Sequence, residues 1–353
     1  QILLGPALLM AVVACFQVIL SLLACLAAGS WQSKGCSKSF GAGSKDDELL
    51  TKHIRVEDFE SVDRTYVVQR RAGPRNLPLP LLLSFHGQTG TAMGTATNHQ
   101  FTAVGSEQLV AVFPQGMNDS WPGEDRGTGW NVGSAGDDST CVPDGVGDNG
   151  GCYKSCRKLK KCGRCNWSTC YDDVLFVKEV LNAVAREHCI DMDRIYLQGE
   201  SNGAEMLHHL VRELPSTFAA VVPWFGTPLL GFLFGIRSQL LRPSWSINST
   251  ALLTLHPRQD TTIPPGGGVS DGGWIFESEA QQHKMWAALH GCEEEPRALQ
   301  TKWDGGKLQF SCLEHAGCAT GRRVVFCSYD GVHGDYPENG AGDEITVWFI
   351  SQF

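Results

Sequence analysis

The chain has 353 residues, 42% hydrophobic and 19% charged, a balance that suits a folded protein with a sizeable core and excludes a disordered polyelectrolyte. Its formal net charge is −9 with a pI near 5.7, and no long basic run is present, which argues against nucleic acid as a partner. Of fourteen cysteines, Cys15 and Cys25 lie in the apolar N-terminal stretch and twelve remain, an even set that points to an oxidising compartment.

Ile2 to Ala28 is almost entirely apolar and is followed by small residues, so residues 1–29 read as a signal peptide, with a retained membrane anchor as the alternative. Residues 30–55 read as a linker, small and polar over Gly35 to Asp47, and 56–353 as the folded domain. Arg64 to Arg70 alternates as a strand does. Leu77 to Phe85 is a leucine-rich buried strand ending at His86-Gly87. A helix is expected over Asn98 to Gln108, then a buried strand over Leu109 to Phe113. Asp172 to His188 is an amphipathic helix with Val174, Val177, Leu181 and Val184 on one face. Short apolar strands follow at Ile195–Leu197, Phe218–Pro223, Ala251–Leu255 and Arg323–Cys327, and a closing helix at Glu344–Phe353. Buried strands alternating with amphipathic helices imply a mostly parallel central sheet with helices on both faces. Two stretches stand outside this scheme. Residues 141–170 hold six cysteines, and Pro228 to Trp245 carries an apolar block that reads equally as a lid or wall of the substrate cleft or as a core helix.

Gly199-Glu200-Ser201-Asn202-Gly203 sits between a strand and a helix over Asn202–Glu213. Strand, G-x-S-x-G and helix in that order make a nucleophile elbow, in which the serine is lifted on a strained turn at a helix N-terminus. Glycines flank it because a side chain at either position would collide with the adjoining strand or helix. A serine hydroxyl needs a base within hydrogen-bond reach and a carboxylate to orient that base. Asp260 follows the strand Ala251–Leu255, and His333 lies between the strand Arg323–Cys327 and the closing helix, which is the order serine, acid, histidine that this elbow requires. His208, His209, His283, His290 and His315 lie in helices or between cysteines and are weaker candidates. The backbone N–H of Asn202 and that of Gln88, in the glycine-containing turn after Phe85, are the expected oxyanion donors.

Several pieces of the chain resemble the secreted α/β-hydrolase family of polyhydroxybutyrate depolymerase-like and feruloyl esterase-like enzymes. They are Leu83–Gly87, Phe113–Gly116, Gly129-Trp-Asn131, Asp172-Asp-Val174, Arg194-Ile-Tyr196 with Gly199–Gly203, Phe218-Ala-Ala220, Asp260 through Pro264, and Gly331-Val-His333. These span about residues 60 to 353 in the family's order. The resemblance implies an α/β-hydrolase fold, ester hydrolysis, and the triad Ser201, Asp260 and His333. Three departures, Ala204 and Pro257 in place of glycines and a longer spacing from His333 to Pro337, leave the triad intact and bear on substrate preference.

The cysteines Cys36, Cys141, Cys152, Cys156, Cys162, Cys165, Cys170, Cys189, Cys292, Cys312, Cys318 and Cys327 read as disulfide partners of unassigned connectivity. Structural zinc in the 141–170 insertion is the competing reading. Asn118, Asn166 and Asn248 head N-x-[ST] sequons, which with the leader suit a secreted glycoprotein. Trp130 and Trp224 are candidate cleft walls, with core packing as the alternative. The reading is a secreted, monomeric serine ester hydrolase acting on a small-molecule or polymer-linked ester, with no metal or organic cofactor and no membrane contact unless the leader is retained. A peptidase, a thioesterase or a non-catalytic recognition module on the same fold are the alternatives.

Overall fold

A computed structural model describes residues 32–37, 48–70, 77–104, 108–120, 127–133, 140–143, 152–163, 165, 168–231, 250–301, 310–337 and 340–353. The leader, Asn166, Asn248 and most of the apolar block at 228–245 lie outside these residues.

In chain order the strands are β1 (Leu50–Glu57), β2 (Ser61–Arg70), β3 (Leu79–Phe85), β4 (Val110–Pro114), β5 (Met117–Asn118), β6 (Thr128–Gly129) and β7 (Ile190–Glu200). There follow β8 (Ala220–Trp224), β9 (Ala251–Pro257), β10 (Gly268–Val269), β11 (Ile275–Phe276), β12 (Arg297–Leu299), β13 (Ser311–His315) and β14 (Val324–Tyr329). The helices are α1 (Ala92–Asn98), α2 (Lys154–Lys158), α3 (Asp173–Glu187), α4 (Asn202–Glu213), α5 (Glu279–His290) and α6 (Ala341–Ile350). Ten strands form one sheet in the order β1-β2-β4-β3-β7-β8-β9-β14-β13-β12. From β4 to β14 every neighbouring pair is parallel, whereas β2 runs against both β1 and β4. A crossed β4-β3 order, one reversed second strand and a G-x-S-x-G turn at the end of the fifth main strand, β7, make this the α/β-hydrolase fold.

The strands carry near-continuous apolar runs because both faces of the sheet are covered. Leu81, Leu83, Phe85, Ile195, Leu197 and Val221 point to one face, where they pack with Phe176 and Val180 of α3 and Met206, Leu207 and Leu210 of α4. Leu82, Tyr196, Val222, Leu253 and Val325, one residue out of phase, point to the other face, against Ala92 and Ala96 of α1 and Ile345 and Phe349 of α6. Each fully buried leucine or phenylalanine contributes roughly 1.5–3 kcal/mol to the association of these layers. The loops that leave the C-terminal ends of β3, β7, β9 and β14 therefore converge on one edge of a rigid sheet.

Two expectations change. Residues 30–55 are not a plain linker: Ser33 N–H donates to Ile190 O at 3.0 Å, Cys36 is bonded to Cys189, and β1 begins at Leu50. The edge strand was hidden because β1 faces solvent and alternates charge with half-buried residues, so it has little apolar signal. The helix expected at Asn98–Gln108 lies earlier, at α1. Thr91 caps it by accepting from Gly94 N–H, and the chain turns extended at His99.

All twelve downstream cysteines pair: Cys36–Cys189, Cys141–Cys165, Cys152–Cys162, Cys156–Cys170, Cys292–Cys318 and Cys312–Cys327. Three of these six bonds close the 141–170 insertion on itself, so its sulfurs are not available as zinc thiolates. The last cross-links β13 to β14, the strand that leads to His333. Among the described residues no helix is long and apolar enough to cross a membrane.

Candidate active site

The turn from β7 to α4 places Ser201 at φ 51°, ψ −120°, a conformation that L-residues rarely adopt. Its neighbours explain the two glycines. A Cβ at Gly199 would lie 2.7 Å from Gly203 O, and one at Gly203 would lie 2.3 Å from Phe85 O and 2.6 Å from His86 O. Ser201 caps α4 through its backbone alone, so the hydroxyl remains available and the first N–H groups of the helix face the same region.

His333 reaches that hydroxyl from the loop after β14. Its Nε2 lies 2.9 Å from Ser201 Oγ, and its Nδ1 lies 2.7 Å from Asp260 Oδ2. Asp260 is buried and its other oxygen, Oδ1, accepts from Thr262 N–H at 2.9 Å and Ile263 N–H at 2.8 Å. Burial works to raise its pKa, but the hydrogen bonds from His256, His333 and Ile263 outweigh burial and hold the carboxyl down at about 2. Asp260 is thus an anion that fixes the imidazole with Nδ1 protonated and Nε2 open toward the serine. The two loops are also tied directly: Gln259 N–H donates to Gly331 O at 3.0 Å, and Gly331 N–H to Gln259 Oε1 at 2.6 Å.

The turn after β3 passes directly over the serine, since a Cβ at Gly87 would lie 3.3 Å from Ser201 Cβ. The same virtual Cβ would lie 3.9 Å from Ser201 Oγ, and Gln88 is the next residue along this turn. Several contacts hold this turn and tie it to the elbow. His86 Nδ1–H donates to Gly87 O at 2.7 Å while Nε2 accepts from Gly116 N–H at 2.9 Å, and burial lowers its pKa to about 4, so it stays neutral. Trp130 Nε1–H donates to His86 O at 2.8 Å, and Trp130 N–H donates to Asn202 Oδ1 at 2.8 Å. The Trp130 segment is in turn pinned by Asn131 N–H to Asp173 Oδ2 at 2.7 Å, and Asp173 is paired at 2.7 Å with buried Arg64.

Trp130 is therefore not a cleft wall. It has no exposed surface and braces the turn from beneath, because both of its N–H groups are used on the elbow and on the turn. Trp224 is only 2% exposed, yet it borders a cavity of about 290 Å³ with His99, Tyr336, Pro337 and Asp343. Asn118 is exposed on β5. The five weaker histidine candidates are committed elsewhere. Burial depresses His208 to about 4 and His209 to about 3, and His283 well below its usual range. Among the described residues no cluster of histidine, cysteine or acidic side chains suits a metal ion.

Two groups at the site were not singled out as site residues from sequence. His256, at the end of β9, puts Nε2 3.3 Å from Asp260 Oδ2 and 2.8 Å from Ile263 O, an additional partner for the acid. Glu200, one residue before the serine, is bonded to His99 and Tyr336. The His256–Asp260 spacing carries a weak signal that is readable only once the turn after β9 is known. His99 and Glu200 are 101 residues apart and carry none.

No protein-family profile and no curated protein matches the chain. Solved structures do match at low identity. An acetyl xylan esterase from Aspergillus awamori is 15% identical, over 81% of this chain and 94% of that one, with a TM-score of 0.49. A ferulic acid esterase is 11% identical over 87% and 98%, with a TM-score of 0.46. A thermostable esterase is 18% identical over 62% of this chain, with a TM-score of 0.40, and this chain spans about half (48%) of its length.

Proposed function

We propose that the protein is a secreted serine carboxylic-ester hydrolase. The observation that carries this reading is the hydrogen-bonded line Ser201–His333–Asp260, at 2.9 and 2.7 Å, ending on a serine held at positive φ. Ser201 Oγ attacks the ester carbonyl as His333 Nε2 takes its proton, and Asp260 stabilises the imidazolium so formed. The backbone N–H groups of Gln88 and Asn202 hold the tetrahedral oxyanion. Collapse breaks the bond to the alkoxy oxygen, and His333 returns the proton to the leaving alcohol, which leaves Ser201 acylated. Water then adds to the acyl carbon, its proton goes to His333, and the acid departs as Ser201 Oγ recovers that proton. This cycle balances without a cofactor.

The six disulfides, the apolar leader and the three sequons support export through an oxidising route, with Asn118 as an accessible glycan site. Feruloyl or acetyl esters of polysaccharide, or a polyester, are the substrates that the resemblance suggests. The test is hydrolysis of short-chain nitrophenyl esters and methyl ferulate by protein secreted from an oxidising host, beside Ser201→Ala. Turnover that disappears in the variant supports the reading, and the ratio of the two substrates ranks the acyl groups. A folded parent with neither turnover nor labelling by a fluorophosphonate sinks it, and a non-catalytic recognition role would take its place.

A further inference from the structure

Behind the serine lies a second line of polar groups that the mechanism above does not use, its histidine and two carboxyls buried and its tyrosine 47% exposed. His99, the first residue after α1, has Nδ1 2.7 Å from Asp343 Oδ1 and Nε2 2.6 Å from Glu200 Oε1. The two carboxylates use their other oxygens as well. Tyr336 O–H donates to Glu200 Oε2 at 2.7 Å, and Gln100 N–H donates to Asp343 Oδ2 at 2.7 Å. Both ring nitrogens of His99 thus face carboxyl oxygens, and with both acids ionised the two contacts are hydrogen bonds only when the ring is an imidazolium.

The segments joined in this way are the ones that must keep register for proton transfer. Glu200 immediately precedes Ser201. Tyr336 is three residues beyond His333, and the ring of Phe225 rests against both, with centroids 5.3 Å from His333 and 5.5 Å from Tyr336. Asp343 lies in the first turn of α6, which the His333 loop leads into. We propose that His99, Glu200, Tyr336 and Asp343 form a clamp of positioning residues that sets the His333 loop against the nucleophile turn and holds only while its histidine is protonated. The inference rests on the ester-hydrolase reading for what the clamp positions.

The charges around His99 are few. Glu200 from the end of β7 and Asp343 from α6 are the charged groups facing it. Tyr336 presents a hydroxyl kept neutral by desolvation and by the charge of Glu200. Phe101, stacked at 4.8 Å, and Trp224, edge-on at 5.3 Å, cover the His99 ring, and the histidine also borders the cavity next to Trp224. Burial works against the charge on His99, but the hydrogen bonds to Asp343 and Glu200 and their negative charges outweigh it and push its pKa up to about 9. Loss of the proton would leave one of the two buried carboxylates facing an unprotonated ring nitrogen next to Ser201, an arrangement that a low-dielectric interior opposes. The loop would then shift or admit water, and His333 would lose its alignment.

Three measurements decide the matter. Tyr336→Phe removes one hydroxyl and keeps the ring against Phe225 and Trp224. Its kcat is expected to fall on the order of tenfold with KM unchanged, and fluorophosphonate labelling of Ser201 to slow by the same factor. Glu200→Gln removes one of the two charges that hold the proton on His99, so the alkaline limb of the kcat profile is expected to move down by about one pH unit or more. An NMR titration of the His99 imidazole, which needs no turnover, is expected to show a midpoint near 9 in the parent and a lower one in Glu200→Gln. An active parent whose two variants match it in kcat and in the alkaline limb overturns the positioning role. A His99 midpoint near the ordinary 6.5 overturns the clamp itself. A parent without turnover or labelling instead defeats the ester-hydrolase reading, and the positioning role goes with it while the titration still reports on the clamp.

Discussion

Two histidines lie on either side of the elbow, His333 toward Ser201 and His99 toward Glu200, and both are bound to an aspartate through Nδ1 at 2.7 Å. Their second partners differ. His333 faces a hydroxyl, which can give up a proton in the course of a reaction, whereas His99 faces a second carboxylate, which binds the ring's proton in place. His333 is reachable, its side chain 21% exposed, while that of His99 is 5% exposed. On the proposed reading the same residue type serves as a proton carrier in one setting and as a charged rivet in the other. What separates them is the acidity of the group across from Nε2.

The largest effect that tests this contrast is expected at the front of the elbow. Asp260→Asn keeps the shape but loses the anion that selects the Nδ1-protonated ring, and kcat is expected to fall about 10⁴-fold with the far-ultraviolet spectrum unchanged. A loss of tenfold or less would mean that His256 orients the imidazole without the carboxylate. Gly203→Ala drives a methyl into Phe85 O and His86 O and is expected to destabilise by about 3 kcal/mol, read from denaturant unfolding, with activity lost alongside. Wild-type stability would indicate that the turn after β3 moves freely.

Stability against pH separates the two histidine sites further. The carboxyl of Asp260 sits at about 2, below its ordinary 3.8, so its contribution is complete above pH 3.8 and is lost as pH falls through 2. His99 is raised from 6.5 to about 9, so its contribution is complete below pH 6.5 and is lost as pH rises through 9. That shift corresponds to about 3 kcal/mol, and Tm is expected to decline across pH 6.5 to 9 in the parent and to stay flat there in His99→Gln. A parent whose Tm is flat over that window would show that the rear histidine is not charged. The smallest effect on activity is expected from Trp130→Phe. It keeps a ring against Phe85 and removes one N–H from His86 O, so kcat should drop severalfold, about 1 kcal/mol in barrier, with a lowered Tm because the smaller ring leaves a void at a fully buried position.

Much of this was legible in the chain because it rests on local patterns. Gly199 to Gly203 between a strand and a helix specifies the elbow, and the helix over Asn202–Glu213 has the bounds that the pattern predicts. Asp260 and His333 follow strands whose apolar runs are visible, and twelve cysteines in an even set foretell disulfides without their partners. Where side chains face solvent, as in β1, or where helix-forming residues are few, as in the Ala-Met-Gly-Thr-Ala-Thr of α1, the local signal fades and boundaries slip.

By itself, then, the sequence determined the parallel sheet, the elbow and the order of serine, acid and base, since each depends on hydrophobic periodicity or on steric rules acting within a few residues. Only the tertiary structure decided which cysteines pair, that Trp130 is a brace rather than a wall, that His256 supports Asp260, and that His99 joins Glu200 to Asp343. Those outcomes depend on which distant segments the sheet brings together: Glu200 and His99 are 101 residues apart, and His99 and Asp343 are 244 apart. Their energetics come from burial and mutual charge, neither of which exists until the chain has closed around them.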